Sequence, residues 1–211
     1  GDVYKRQVHN LFGLAYIGHP NFTPIQFLTY GFLHGDMYHI FFNMFFLAVF
    51  GSKIESALGP KNLFALFALT VICGGIAQQI SHMVSVHDAV GTMFPLPPTD
   101  FYEQVKFSVK YGGDSLALFN RITLGASAGV FGCMLAFTCL FPRERLNIPL
   151  LPLSFSARLL VIIYVVSELI HITTGPSAEI AHSAHLGGAF AGLVLGLISV
   201  SYTHLTLPTT D

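Results

Sequence analysis

Charge is what this chain has least of. Only 10% of its 211 residues are Asp, Glu, Lys or Arg, against roughly 25% in a soluble globular domain. That deficit, with a mean hydropathy of +0.63, points to lipid as the solvent. Acids and bases nearly cancel to a net charge of −1, which leaves no basic surface for a nucleic acid. Cysteine is scarce. Cys73, Cys133 and Cys139 lie in apolar segments without Cys-x-x-Cys spacing, which argues against a disulfide framework or a thiolate metal site. Tryptophan is missing altogether. His-Glu-x-x-His, Gly-x-Gly-x-x-Gly and P-loop signatures are missing too. The apolar segments hold almost no acids, so a pair of carboxylates sharing one proton has no basis. Neither a cofactor nor a metal is expected.

What is abundant is hydrophobic residues, at 53%, with 20 Phe among them. They predict five membrane spans, from about Met37 to Phe50, Leu63 to Ile80, Ile122 to Phe141, Phe155 to His171 and Ala184 to Val200. Several fall short of the ~20 residues a spanning helix needs, which is tolerable within a bundle or a locally thinned bilayer. Residues 8–33, interrupted by Pro20 and Pro24, read as a loop with an interfacial stretch. Residues 81–121 read as a loop or interfacial helix. Residues 1–7 and 201–211 do not continue their neighbours' patterns and resemble translated sequencing-adaptor read-through. Setting them aside leaves a membrane domain over 8–200.

Lys53 and Lys61 lie in one short connection, and Arg143, Arg145 and Arg158 lie in or beside another. If every segment crosses, these share a side, which the positive-inside rule makes cytoplasmic. Ser127 and His185 then sit at similar depth, a short way below the outer face.

Three polar islands stand out in this apolar background. Ser127 lies in Gly125-Ala-Ser-Ala-Gly129. Ser among small residues is ordinary packing in a membrane helix, but near a helix N-terminus its neighbouring backbone N–H groups and the helix dipole can hold a developing anion. His185 heads His-Leu-Gly-Gly, with Gly188 and Gly192 on the same helix face. It reads either as a structural histidine bonded across helices or as a base for Ser127. His39 and Asn43, four apart on one face, read as interhelical polar glue or as two donors for an oxyanion. Phe131, one turn beyond Ser127, could stack on the imidazole of His185 or simply face lipid. Asp36 reads as a helix cap. His182 falls before its span. Glu168, by depth, and less so Glu179, are candidate partners for His185, but nothing in the sequence aims either at it. The expectation is therefore a Ser–His dyad, not a triad.

In this order the motifs resemble the rhomboids, a family of intramembrane serine proteases. The resemblance runs over Phe27-Leu-Thr-Tyr-Gly-Phe-Leu-His34-Gly, His39-x-x-x-Asn43, Phe50-Gly-Ser-Lys-Ile-Glu55, Gly125-Ala-Ser127-Ala and Ala184-His185-Leu-Gly-Gly188-x-x-x-Gly192. It implies an all-α polytopic bundle with a six-helix core, its first helix missing here. It implies Ser127 as nucleophile and His185 as base, with an oxyanion hole from His39, Asn43 and the Ser127 N–H. It also implies supporting roles for Gly125, Phe131, Gly188 and Gly192. The expected activity is cleavage of transmembrane protein substrates near the outer face, in the bacterial inner membrane. One departure is Ala128, where the family usually has glycine. Two alternatives stand beside this reading. One is an inactive rhomboid-like protein that binds transmembrane clients. The other is a small transporter, which would need a polar path to the inner face.

Overall fold

The computed structural model describes residues 2–95, 98, 100–147, 154–174 and 181–206. The chain is an all-α, multi-pass membrane helix bundle. In order come α1 (Asp2–Phe12), β1 (Leu14–Ala15), α2 (Gln26–Thr29), α3 (Met37–Leu58), α4 (Pro60–Val90), α5 (Phe101–Tyr111), α6 (Gly113–Phe119), β2 (Ile122–Thr123), α7 (Ser127–Leu140), β3 (Arg145–Asn147), β4 (Ser154–Ser156), α8 (Ala157–Thr174) and α9 (His182–Thr206). Among the described residues three helices are long and apolar enough to cross a membrane: α3, α4 and His182–Ser201 of α9. Helices α1 and α9 run across the boundaries at residues 7/8 and 200/201 without a break.

The elements differ in length from the sequence expectation for local reasons. Helix α3 starts where the Asp36 carboxylate accepts the His39 N–H at 2.9 Å, the cap read from sequence. It continues past Phe50 to Leu58 and stops before Gly59-Pro60. Helix α4 runs ten residues beyond Ile80. Its polar residues find buried partners there. Gln79 donates to the Ala15 carbonyl at 2.7 Å and accepts the Ile17 N–H at 2.9 Å, and a His82 ring nitrogen meets the Leu118 carbonyl at 2.7 Å. These bonds clamp the segment before α2 and the end of α6 onto α4. Part of the stretch read as loop is therefore helical. Helix α7 is shorter than its apolar segment because Ile122 and Thr123 pair with β1 and the chain turns at Gly125.

Helix α7 is the buried axis of the bundle, packed by α3, α4, α8 and α9. At 14 residues it is about 21 Å long, short of the roughly 30 Å hydrocarbon core. Phe50, Ile54, Val71, Cys133, Phe137, Ala157 and Val161 form the core around it, each no more than 1% exposed. The outer faces are apolar as well: Phe41 and Phe45 on α3, Ile163 and Ile170 on α8, and Phe190 and Ile198 on α9 are exposed, as suits contact with lipid. Lys53, on α3, and Glu144, after α7, form an ion pair. The basic connections thus share one end of the bundle.

Candidate functional site

The turn before α7 positions Ser127. Gly125 has φ +128°, a conformation L side chains rarely adopt. A Cβ there would lie 2.6 Å from His39 Nε2, so the glycine also lets α3 bring His39 close. The Gly125 N–H donates to the Tyr30 carbonyl at 3.0 Å. The Tyr30 hydroxyl in turn donates to the Val71 carbonyl at 2.7 Å. The turn is tied to α4 through this one buried tyrosine.

The glycines of α9 position His185. A Cβ on Gly188 would come within 2.1 Å of the Ala128 carbonyl oxygen, and one on Gly192 within 2.0 Å of that of Gly132. Helices α7 and α9 therefore touch backbone to backbone, as small residues permit. His185, one turn before Gly188, is left beside Ser127, its Nε2 2.7 Å from the serine Oγ. The Phe131 ring lies parallel to the imidazole, 4.6 Å between centroids and 8° between planes. The methyl of Ala128 points at Gly74 of α4, where a Cβ would meet it at 2.5 Å. The glycine needed for this close contact stands on the facing helix.

Ser127, His185, His39 and Asn43 line one cavity of about 690 Å³, with Gln78, Arg121 and the exposed rings of Tyr38 and Phe42 at its wall. Asn43 Nδ2 and Gln78 Oε1 are buried there without a hydrogen-bond partner. Just outside α3, His34 lies edge-on to His39. Burial lowers its pKa, His39 adds to the shift and Asp36 opposes it. The Asp36 carboxyl is itself held below its ordinary value by the His39 backbone N–H.

Beyond His185 the structure departs from expectation. Glu168 of α8 reaches across to α9. Its Oε1 lies 3.1 Å from His185 Nδ1, off the line of a hydrogen bond, and its Oε2 lies 2.5 Å from Nδ1 of His182. The side chains are 11–12% exposed. The expectation of a serine endopeptidase working through an isolated Ser–His dyad is corrected here. His185 is not the partner of Ser127 alone; it is also the third member of a buried His182–His185–Glu168 cluster. The enzyme class and the serine-protease and hydrolase descriptions rested on the isolated pair, and this cluster does not carry them. Geometrically, Nε2 faces the serine and Nδ1 faces a carboxylate.

Sequence reading missed the aim of Glu168, the part played by His182, and Gln78. His182 begins α9 and so shares a face with His185 three residues on; that spacing was the available signal. Gln78 is a buried amide in an apolar helix, which is costly unless it has a use. Glu179, the other acid weighed, lies outside the described residues.

Comparison with known proteins agrees with this architecture. The rhomboid domain family matches residues 21–202. The chain is 31% identical over 162 residues to "RHOMBOID-like protein 12, mitochondrial" of Arabidopsis thaliana, covering 77% of this chain and 42% of that protein. It is 23% identical over 180 residues to "Rhomboid protein 1, mitochondrial" of Saccharomyces cerevisiae, covering 82% of this chain and 41% of that protein. The chain thus spans about two fifths of the length of these relatives. No solved structure matches at a significant level. The family match covers α8 and the helices whose residues line the cavity, α3, α4, α7 and most of α9, and on that match the chain belongs to the rhomboid family.

Proposed function

We propose that this rhomboid-family membrane protein binds the transmembrane segments of client proteins at the cavity above Ser127. The observation that carries the reading is the pair of buried polar atoms without partners on residues lining one cavity: Asn43 Nδ2 and Gln78 Oε1. Buried polar groups are almost always paired. A client helix in lipid has its own backbone groups satisfied except at its ends and breaks. A frayed or broken end offers carbonyl oxygens to Asn43 and His39 and an N–H to Gln78. The exposed rings of Tyr38 and Phe42 supply an apolar sill beside these groups. In this reading the cavity faces out, since the basic connections gather at the other end, and the bundle belongs to a six-helix core. Both relatives are named as mitochondrial, so the similarity does not by itself single out a bacterial inner membrane.

The test is site-specific photocrosslinking from position 42 to a synthetic single-span protein in proteoliposomes. Crosslinking is expected, and is expected to fall in Asn43→Leu and Gln78→Leu. Equal crosslinking from position 190, on the lipid face of α9, would overturn the reading.

A further inference from the structure

The cluster on the far side of His185 has no part in client binding as proposed above, and its donor set is that of a metal centre. We infer that His182 Nδ1, His185 Nδ1 and the Glu168 carboxylate bind one Zn²⁺ or a similar divalent transition ion. The three ligand atoms lie within 4.8 Å of one another. Zinc ligands at roughly 2.0–2.1 Å in a tetrahedron sit about 3.3 Å apart. The 3.1 Å between His185 Nδ1 and Glu168 Oε1 already fits that spacing. His182 Nδ1 is hydrogen-bonded to Oε2 at 2.5 Å; on metal binding that bond is given up, the ring proton resides on Nε2, and the pair opens by less than an ångström.

A second observation points the same way. His185 is buried, and its Nδ1 faces the carboxylate without making a hydrogen bond. A nitrogen misaligned for a proton it would share is free to direct its lone pair at an ion between the two groups. Helix geometry brings the two imidazoles together, because residues three apart share a face. The His171 ring stacks on that of His182 at 5.3 Å and 14°, and its Nδ1 is fixed by the Ser167 carbonyl at 2.6 Å. The outer histidine is therefore held in place, as ligand-orienting neighbours do in metal sites. Two imidazoles and one carboxylate leave a fourth position for water, and the set suits zinc better than calcium or magnesium.

Occupancy would fix the direction of the Ser127 contact. A metal takes the Nδ1 lone pair, so the ring proton of neutral His185 resides on Nε2. Nε2–H then donates to Ser127 Oγ and cannot accept the hydroxyl proton. The ion would hold the serine as an acceptor, unable to pass its proton to His185.

The test uses the untagged full chain in detergent micelles, titrated with Co²⁺ and then Zn²⁺. One Co²⁺ per chain is expected, with visible d–d absorption of a four-coordinate site that Zn²⁺ abolishes. His182→Ala and Glu168→Gln should each weaken Co²⁺ binding by roughly tenfold or more, the range that loss of even an outer partner costs a metal site. His34→Ala, remote from the cluster, should bind as the parent does. Gel filtration and thermal unfolding establish that the variants fold. Absence of the absorption band in the parent, or a band undiminished in folded His182→Ala and Glu168→Gln, would overturn the inference. The readout is independent of client crosslinking, so either proposal can fail alone.

Discussion

The rings of Phe131 and His185 are stacked within 8° of parallel, 4.6 Å apart, although one belongs to α7 and the other to α9. Phe131 is 8% exposed, so the face it offers the imidazole is a packed wall. Replacing it has two separable effects. Phe131→Ala should cost about 3–5 kcal/mol, as for other buried Phe deletions. Phe131→Leu should recover most of that, because apolar volume is kept, yet leave the imidazole without its flat support. Thermal unfolding in detergent reads the first effect. The His185 ring resonances in NMR read the second, with broadening expected in Phe131→Leu.

The contact between α7 and α9 permits no side chain at two positions. An alanine methyl at Gly188 or Gly192 meets a carbonyl oxygen at 2.1 or 2.0 Å, and backbone cannot swing aside as a flexible side chain can. Each substitution should destabilise by at least the roughly 1–3 kcal/mol typical of overpacking and lengthen the Ser127–His185 contact. Gly51→Ala is the control. Its new methyl would meet Leu47 at 3.4 Å, an ordinary contact, and stability should change by less than about 1 kcal/mol. Equal losses at all three positions would remove the argument for backbone contact.

Ala128 and Gly74 form a complementary pair. Ala128→Gly should cost about 1–2 kcal/mol from a lost buried methyl and lower helix propensity. Gly74→Ala should cost more. The double variant should not recover the loss, because a Cβ at Gly74 also meets the Ala184 carbonyl at 2.6 Å. Denaturant titration of the four proteins in the cycle checks this.

Acid should loosen the end of the bundle that carries the cavity. Burial lowers the pKa of His19 below 6.5, with Asn120 acting in the opposite direction. Its Nδ1 accepts the Asn21 N–H at 3.1 Å, and its ring lies 5.5 Å from that of Phe119. The unfolded chain therefore takes up the proton first as pH falls. The contribution is complete above about 6.5, shrinks as pH drops below it, and levels off once the folded form is protonated too. The melting temperature should fall between pH 7 and pH 5, and by less in His19→Gln.

The all-α membrane bundle was legible in sequence from its apolar runs, and the polar islands because each interrupts such a run. Ser127, His185, His39 and Asn43 do line one cavity. The boundaries of α7 were not legible, since Ile122 and Thr123 are as apolar as the helix that follows and leave it only to pair with β1. Nor was the direction of Glu168. Depth along α8 is readable from order in the chain, but which neighbour a side chain faces depends on helix rotation, set by packing across the bundle. Polarity places the start of the last span at Ala184 and leaves His182 outside it, whereas the helix begins at His182.

Helix α8 is held differently at its two extremities. Near residue 157 it is fixed by the Ala157 N–H to the Glu144 carbonyl at 3.1 Å, by the β3–β4 ribbon and by the fully buried Ala157 and Val161. Near residue 168, among the described residues, its polar attachment to α9 is a carboxylate between two imidazoles. The first attachment is largely indifferent to ions, whereas the second changes in strength with whatever occupies or protonates that trio. Any leverage a solute gains over this helix is exerted at Glu168, with Ala157 as the fulcrum.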